Sequence, residues 1–226
     1  MHNECILLLH IMIISGATLI ALRIGTEALI SFVALSMVLA NLFVIKQTSF
    51  FGFDATTADA LAVGSMIGLN ILQEFFGKKA AKTAIIATFF LLLFYAITSQ
   101  IHLLYIPSTI DVSHDNFAEI LSFAPALVFG SFCVYLLAQV MDYIIYGALM
   151  RMWSNKFMVL RNYIALGLSH LGDTILFTLW LWFLDIIKNP VHIVIISFSV
   201  KFIIILIATP IIAMAAKKLH TEHSLF

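Results

Sequence analysis

Seven stretches of the chain, approximately residues 4–23, 28–46, 57–76, 82–106, 124–150, 161–184 and 190–216, are apolar runs of bilayer length. A helix needs about 20 such residues to span the hydrocarbon. Lipid offers no partner to a peptide N–H or C=O, so a spanning segment must satisfy its backbone internally. Continuous apolar runs of this length do so as helices. The expected fold is therefore an all-α, polytopic membrane bundle of about seven transmembrane helices. Composition agrees, with 62% hydrophobic and 11% charged residues and a mean hydropathy of +1.08, well outside the soluble range. The 226 residues leave no room for a soluble catalytic domain, and residues 1–226 read as a single transmembrane domain embedded in a lipid bilayer.

The N-terminal segment lacks a basic leader and carries Glu4, so it reads as a retained helix rather than a signal peptide. The short turn Arg23–Glu27 makes the first two helices antiparallel neighbours. The connection from Pro107 to about Phe123, with Asp111, His114, Asp115 and Glu119, is expected to be the one long loop. Pro125 suits the first turn of a helix, and Pro210 lies deep in the last segment, where a kink is expected. Cys5 and Cys133 lie in apolar runs without paired spacing and are expected as buried small hydrophobes.

Charge placement sets the orientation. With the N-terminus outside, the inner side holds Arg23, Lys78, Lys79, Lys82, Arg151, Lys156, Arg161, Lys217 and Lys218. The outer side holds Lys46 and Lys188. Nine against two places the C-terminus in the cytoplasm by the positive-inside rule.

Four ionisable side chains remain inside the apolar runs: Asp142, His170, Asp173 and Lys201. At a rise of about 1.5 Å per residue, Asp142 is roughly 13 Å from Arg151, Asp173 roughly 18 Å from Arg161, and Lys201 roughly 24 Å from Lys217. A charge at the centre of a spanning helix costs roughly 2.5–3.5 kcal/mol even on lenient scales, so such groups face a protein interior or a polar cavity. On the fifth segment Tyr135, Gln139, Asp142 and Tyr146 share a helical face, and on the sixth Ser169, His170, Asp173 and Phe177 do the same. Carboxylate, amide and aromatic ring together suit a planar, nitrogen-rich ligand, because a carboxylate accepts two parallel N–H bonds from a guanine-like edge.

The candidate substrate-binding residues are Asn41, Asn70, Glu74, Gln139, Asp142, Ser169, His170, Asp173 and Lys201. Structural readings stand beside the functional ones. Lys201 with Asp142 or Asp173 is also readable as a register-fixing ion pair, and His170 as an interhelical hydrogen-bonder. Glu74 is equally readable as a surface partner of Lys78, and Asn70 and Gln73 as polar glue between helices. Asn41 lies towards the outer end of its helix.

Other chemistries lack their residues. No phosphate-binding glycine loop is present, so the chain cannot itself be an ATP-driven pump. No clustered His or Cys suggests a metal, and no cofactor is implied. Gly172-Asp173 with Asp142 raises an intramembrane aspartyl protease as a remote alternative, but position 170 is His where Gly-x-Gly-Asp requires Gly. The chain reads as a non-enzyme.

Several stretches resemble the queuosine precursor transporter family, also described as vitamin-uptake-like. They are Ala40-Asn41 with Val44-Ile45-Lys46, then Asn70-Ile71-Leu72-Gln73-Glu74-Phe75-Phe76-Gly77-Lys78-Lys79, then Gln139-Val140-Met141-Asp142. Arg161-Asn162, Ser169-His170-Leu171-Gly172-Asp173-Thr174, Lys201 and Thr209-Pro210 complete them. The resemblance runs from about Gly25 to Leu219. It implies a family core over 25–219, similar to the six-helix substrate-binding subunits of energy-coupling-factor importers, with 1–24 as an extra N-terminal helix. It implies a multi-pass protein of the bacterial inner membrane that imports 7-deazaguanine bases for tRNA modification: 7-cyano-7-deazaguanine, 7-aminomethyl-7-deazaguanine or queuine. The alternative is a binding subunit of an energy-coupling-factor importer. No direct contact with nucleic acid is implied, and a homo-oligomer is left open. Two positions depart from the family pattern: Asn70 stands where Asp is common, and His170 where Gln is common.

Overall fold

In the computed structural model, residues 3–44, 46–50, 53–56, 58–122, 124–153, 156–183 and 190–223 are described. The element order is α1 (Asn3–Ile24), α2 (Thr26–Phe43), β1 (Gln47–Phe50), β2 (Phe53–Thr56), α3 (Asp59–Phe75), α4 (Gly77–Leu103), α5 (His114–Ser122), α6 (Ala124–Met152), α7 (Met158–Phe183) and α8 (Pro190–His223). A helix occupies each of the seven apolar segments. The chain is thus a multi-pass helical membrane bundle. By length and apolar composition alone, α1, α2, α4 and the Phe132–Met152 part of α6 qualify as spans among the described residues.

Two corners are made by glycine. Gly25 (φ +140°) separates α1 from α2, and Gly77 (φ +81°) separates α3 from α4. Both backbones lie where a side chain is strained.

α3 is the axis of the bundle. Fourteen of its seventeen residues are buried, and α1, α2, α4, α6, α7 and α8 all pack against it. At 17 residues it is about 25 Å long, and protein rather than lipid surrounds it. That explains how one short helix can carry Asp59, Ser65, Asn70 and Gln73, all buried. α4 shows the opposite pattern. Its Ile86, Phe90, Leu93, Phe94, Ile97 and Ile101 are exposed and follow helical spacing, as a lipid-facing stripe does.

Two elements differ from the sequence expectation. Between α2 and α3 the chain forms an antiparallel hairpin, pairing Gln47 with Thr56 through to Phe50 with Phe53. Four-residue strands fall below what periodicity can resolve. α1 anchors this hairpin through a 2.9 Å bond from Asn3 Nδ2 to Thr48 Oγ1. The connection after α4 is also not all loop, since His114–Ser122 forms α5. The Asp111 carboxylate accepts bonds from the Ser113 N–H and hydroxyl, both 2.7 Å, just before that helix, and they hold its carboxyl below the usual range. Gln100 Nε2 then donates to Leu121 O at 3.1 Å and the His102 ring meets Phe117 edge-on at 5.6 Å, which docks α5 on α4. Cys5 and Cys133 are exposed, contrary to expectation. They lie on faces turned from the core, where the apolar surroundings of the sequence are lipid.

α3 fits so tightly between α1 and α2 because Gly64 and Gly68 lack side chains. A Cβ at Gly64 would stand 2.4 Å from Ile14 Cγ2, and one at Gly68 would stand 2.7 Å from Val33 Cγ2. Small residues four apart are a common device for close helix approach in membranes. Overpacking such a contact costs about 1–3 kcal/mol. Gly68→Val should therefore lower the thermal midpoint of the detergent-solubilised protein. Gly16→Val, where nothing lies within 4 Å, should leave it nearly unchanged. Equal midpoints for the two variants would contradict this packing.

Candidate substrate-binding site

Polar side chains from α3, α6, α7 and α8 meet along one buried seam. α3 and α7 run antiparallel through it, because Asn70 pairs with Asn162 and Glu74 with Arg161 at one end while Asp59 lies by the Asp173 region at the other. Three groups follow one another along this seam.

At the N-terminal end of α3, Lys201 of α8 donates to Asp173 Oδ2 at 2.6 Å and to Thr174 Oγ1 at 3.3 Å. Asp59 Oδ1 lies 3.8 Å from the same ammonium. His170 lies within reach of the charges on Lys201 and Asp173. One cation thus serves two carboxylates from two different helices.

At the centre, Asp142 of α6 is fully buried. Asn70 and Ser169 approach its carboxylate, yet neither Asp142 oxygen has a hydrogen-bond partner. Asn70 Nδ2 instead donates to Asn162 Oδ1 at 3.0 Å. Asn70 Oδ1, Ser169 Oγ, Gln139 Oε1 and both nitrogens of His170 are also without partners. Gln139 donates through Nε2 to the Tyr135 hydroxyl, which shares a 3.0 Å bond with Ser65 Oγ. Buried polar groups are normally paired, and each orphan costs about 1–3 kcal/mol. Asp59 Oδ2, Gln73 Nε2 and Oε1, and Arg161 Nε and Nη1 are without partners too; Asp142 is the carboxylate among these residues with neither oxygen partnered.

At the C-terminal end of α3, Arg161 Nη2 meets Glu74 Oε1 at 2.5 Å. The Tyr146 hydroxyl donates to Glu74 Oε2 at 2.8 Å, and the guanidinium lies 5.4 Å from the centre of the Tyr146 ring. Arg161 is completely buried.

Of the sequence candidates, Asn70, Gln139, Asp142, Ser169, His170, Asp173 and Lys201 come together along this seam. Lys201 pairs with Asp173 and not with Asp142. Glu74 is drawn to Arg161 and Tyr146 across three helices rather than to Lys78 on its own side. Gly77 turns the chain into α4 before Lys78, whose side chain lies beside Gly147 and Gln73. Asn41 donates to its own helix at Met37 O, 3.0 Å. Its helix packs on α1, α3 and α4, so it is not brought to the central group. Arg161, counted above among the basic residues of the inner side, is the fourth residue of α7 and is buried in the bundle. Asp59 was missed because it sits at the margin of an apolar segment, where an acid reads as an ordinary helix start. Asn162 was missed too, although 162, 166, 169 and 173 mark one helical face.

Residues 56–215 match a family profile described as "Putative vitamin uptake transporter". The chain belongs to this transporter family. The match spans α3 to α8 and includes every member of the seam, whereas Asn41 lies before it. The chain is also 32% identical over 198 residues, 86% of each protein, to the "Probable queuosine precursor transporter" of Bacillus subtilis (strain 168). No solved structure matches it. As a member of this family it is a multi-pass membrane transporter and not an enzyme, which removes the aspartyl-protease alternative.

Removing one partner of a buried pair strands the other charge and costs about 3–5 kcal/mol, whereas replacing both with apolar residues is often tolerated. Arg161→Met should therefore reduce folded protein sharply in a thermal-stability assay, and adding Glu74→Met should restore much of the loss. A double variant no better than Arg161→Met would contradict this pairing.

Proposed function

We propose that this transporter imports queuosine precursors, 7-deazaguanine bases such as 7-aminomethyl-7-deazaguanine, 7-cyano-7-deazaguanine or queuine, across the bacterial plasma membrane for insertion into tRNA. The observation that carries the reading is the Asp142 carboxylate, fully buried with both oxygens unpartnered. A deazaguanine presents N1–H and a 2-amino N–H side by side, and a carboxylate accepts both in parallel. Asn70 and Ser169 stand beside it, and Gln139 and His170 add further unpartnered atoms along the seam for the O6 and the remaining ring edge. The name of the Bacillus subtilis relative supports the same substrate class.

Asp142 and Ser169 are 0% exposed and His170 is 1% exposed, so the described conformation is closed around the central group. Transport requires the seam to open towards each side of the membrane in turn. The Asp59–Lys201–Asp173 and Glu74–Arg161–Tyr146 groups flank the centre at its two ends and are placed to release in alternation. Orientation follows the charge rule. Removing the buried Arg161 from the cytoplasmic tally leaves eight basic residues against two, and the C-terminus stays inside.

The test is uptake of labelled bases by liposomes that contain this purified chain alone. Wild type should accumulate or exchange at least one deazaguanine base, and Asp173→Asn should abolish uptake. Asp142→Asn turns one acceptor into a donor that opposes the base N–H. A lost charge-assisted bond is worth about 1.5–3 kcal/mol, so binding should weaken roughly 10-fold or more while membrane insertion is retained. Unchanged binding in Asp142→Asn would remove Asp142 from the site. Binding without uptake would contradict a self-sufficient transporter and favour a subunit that needs an energising partner.

A further inference from the structure

The group at the N-terminal end of α3 has more acid than base. Asp59 and Asp173 face one ammonium, that of Lys201. The ammonium is committed to Asp173 at 2.6 Å, with Thr174 as a second acceptor. Asp59 keeps only a 3.8 Å contact through Oδ1. Its Oδ2 is buried without a partner, and the residue as a whole is 7% exposed. Among the described residues, the charged groups acting on Asp59 are Lys201 from α8 and Asp173 from α7. His170 of α7 faces both of these, and Tyr135 of α6 faces Asp173. None supplies a second positive charge.

Asp59 is also separate from the base-binding centre. It stands eleven residues from Asn70 on the same helix, about 16 Å along the axis. A surplus carboxylate inside a membrane protein carries a cost unless something neutralises it or uses it. A metal cation is a poor fit, because the Lys201 ammonium already sits among Asp59, Asp173 and Thr174, the oxygens it would need.

We propose that Asp59 carries a co-transported proton, so that this protein is a proton–base symporter with Lys201 shared between Asp59 and Asp173. The proposal rests on the import reading above and adds its coupling ion. On the outward-open side Asp59 Oδ2 takes up one proton. The trio then holds one carboxylate and one ammonium, is electrically neutral, and can close. On the inward side the O–H bond breaks, the proton leaves to the cytoplasm, and the freed carboxylate draws Lys201 from Asp173 towards Asp59. One proton crosses with each base, and no other reactant is needed.

The experiment uses the full chain in liposomes, labelled 7-aminomethyl-7-deazaguanine, and a pH gradient, acid outside. Wild type should concentrate the base several-fold above equilibrium and collapse the gradient in step. Asp59→Asn should keep base-for-base counterflow but reach only the equilibrium level, and Asp59→Glu should recover accumulation. Retained counterflow shows that Asp59→Asn is folded. Accumulation by Asp59→Asn equal to wild type would overturn the proposal. So would loss of its counterflow, or wild-type accumulation driven by a sodium gradient without a pH gradient. Wild-type exchange that never exceeds equilibrium would overturn the coupling and leave import standing. No wild-type counterflow of any deazaguanine base would refute the import reading beneath it.

Discussion

A charge inside hydrocarbon must be neutralised by a neighbour, and the architecture of this transporter is organised around that requirement. Arg161 and Glu74 lock α7 to α3 near one end of the seam, with Tyr146 of α6 satisfying the second carboxylate oxygen. Lys201 and Asp173 lock α8 to α7 near the other. Neither pair lies within one helix, so each fixes the register of helices that apolar packing alone would hold with little preference, since lipid tails are as apolar as leucine. Gly64 and Gly68 let α3 sit close enough to α1 and α2 to be wrapped by protein. Only a helix so enclosed can keep Asp59, Asn70 and Gln73 buried.

Between the two ion pairs lies Asp142, with neither carboxylate oxygen partnered. The contrast is informative, because the same chain that pairs Glu74 and Lys201 leaves both Asp142 oxygens and both His170 nitrogens without partners. An unpartnered carboxylate inside the bundle suits a guest that arrives and leaves. The proposed base fits that role, with the ion pairs at each end as the contacts that must exchange for it to pass.

Much of the fold was legible in the sequence, because bilayer thickness converts directly into run length. Each of the seven apolar segments became a helix, and Asp142, Ser169, His170, Asp173 and Lys201 all turned inward as the cost of lipid exposure demands. What could not be read was pairing between segments. Glu74 has Lys78 four residues away, the usual sign of a surface pair, yet a turn at Gly77 and the approach of α7 give it Arg161 instead. Arg161 looked like loop charge because the basic residues around it are. The hairpin at 47–56 was invisible, its strands being four residues each, and α5 was hidden by the acidic residues His114–Ser122 shares with a loop. Asn41 stood among the motif residues but its helix lies on the far side of α3 from Asp142.

The most direct test of the account is a structure of this protein determined with 7-aminomethyl-7-deazaguanine bound. The base should lie between α3, α6 and α7, with N1 and the 2-amino group within about 3 Å of the Asp142 oxygens. A base bound elsewhere, with Asp142 still buried and unpartnered, would contradict it.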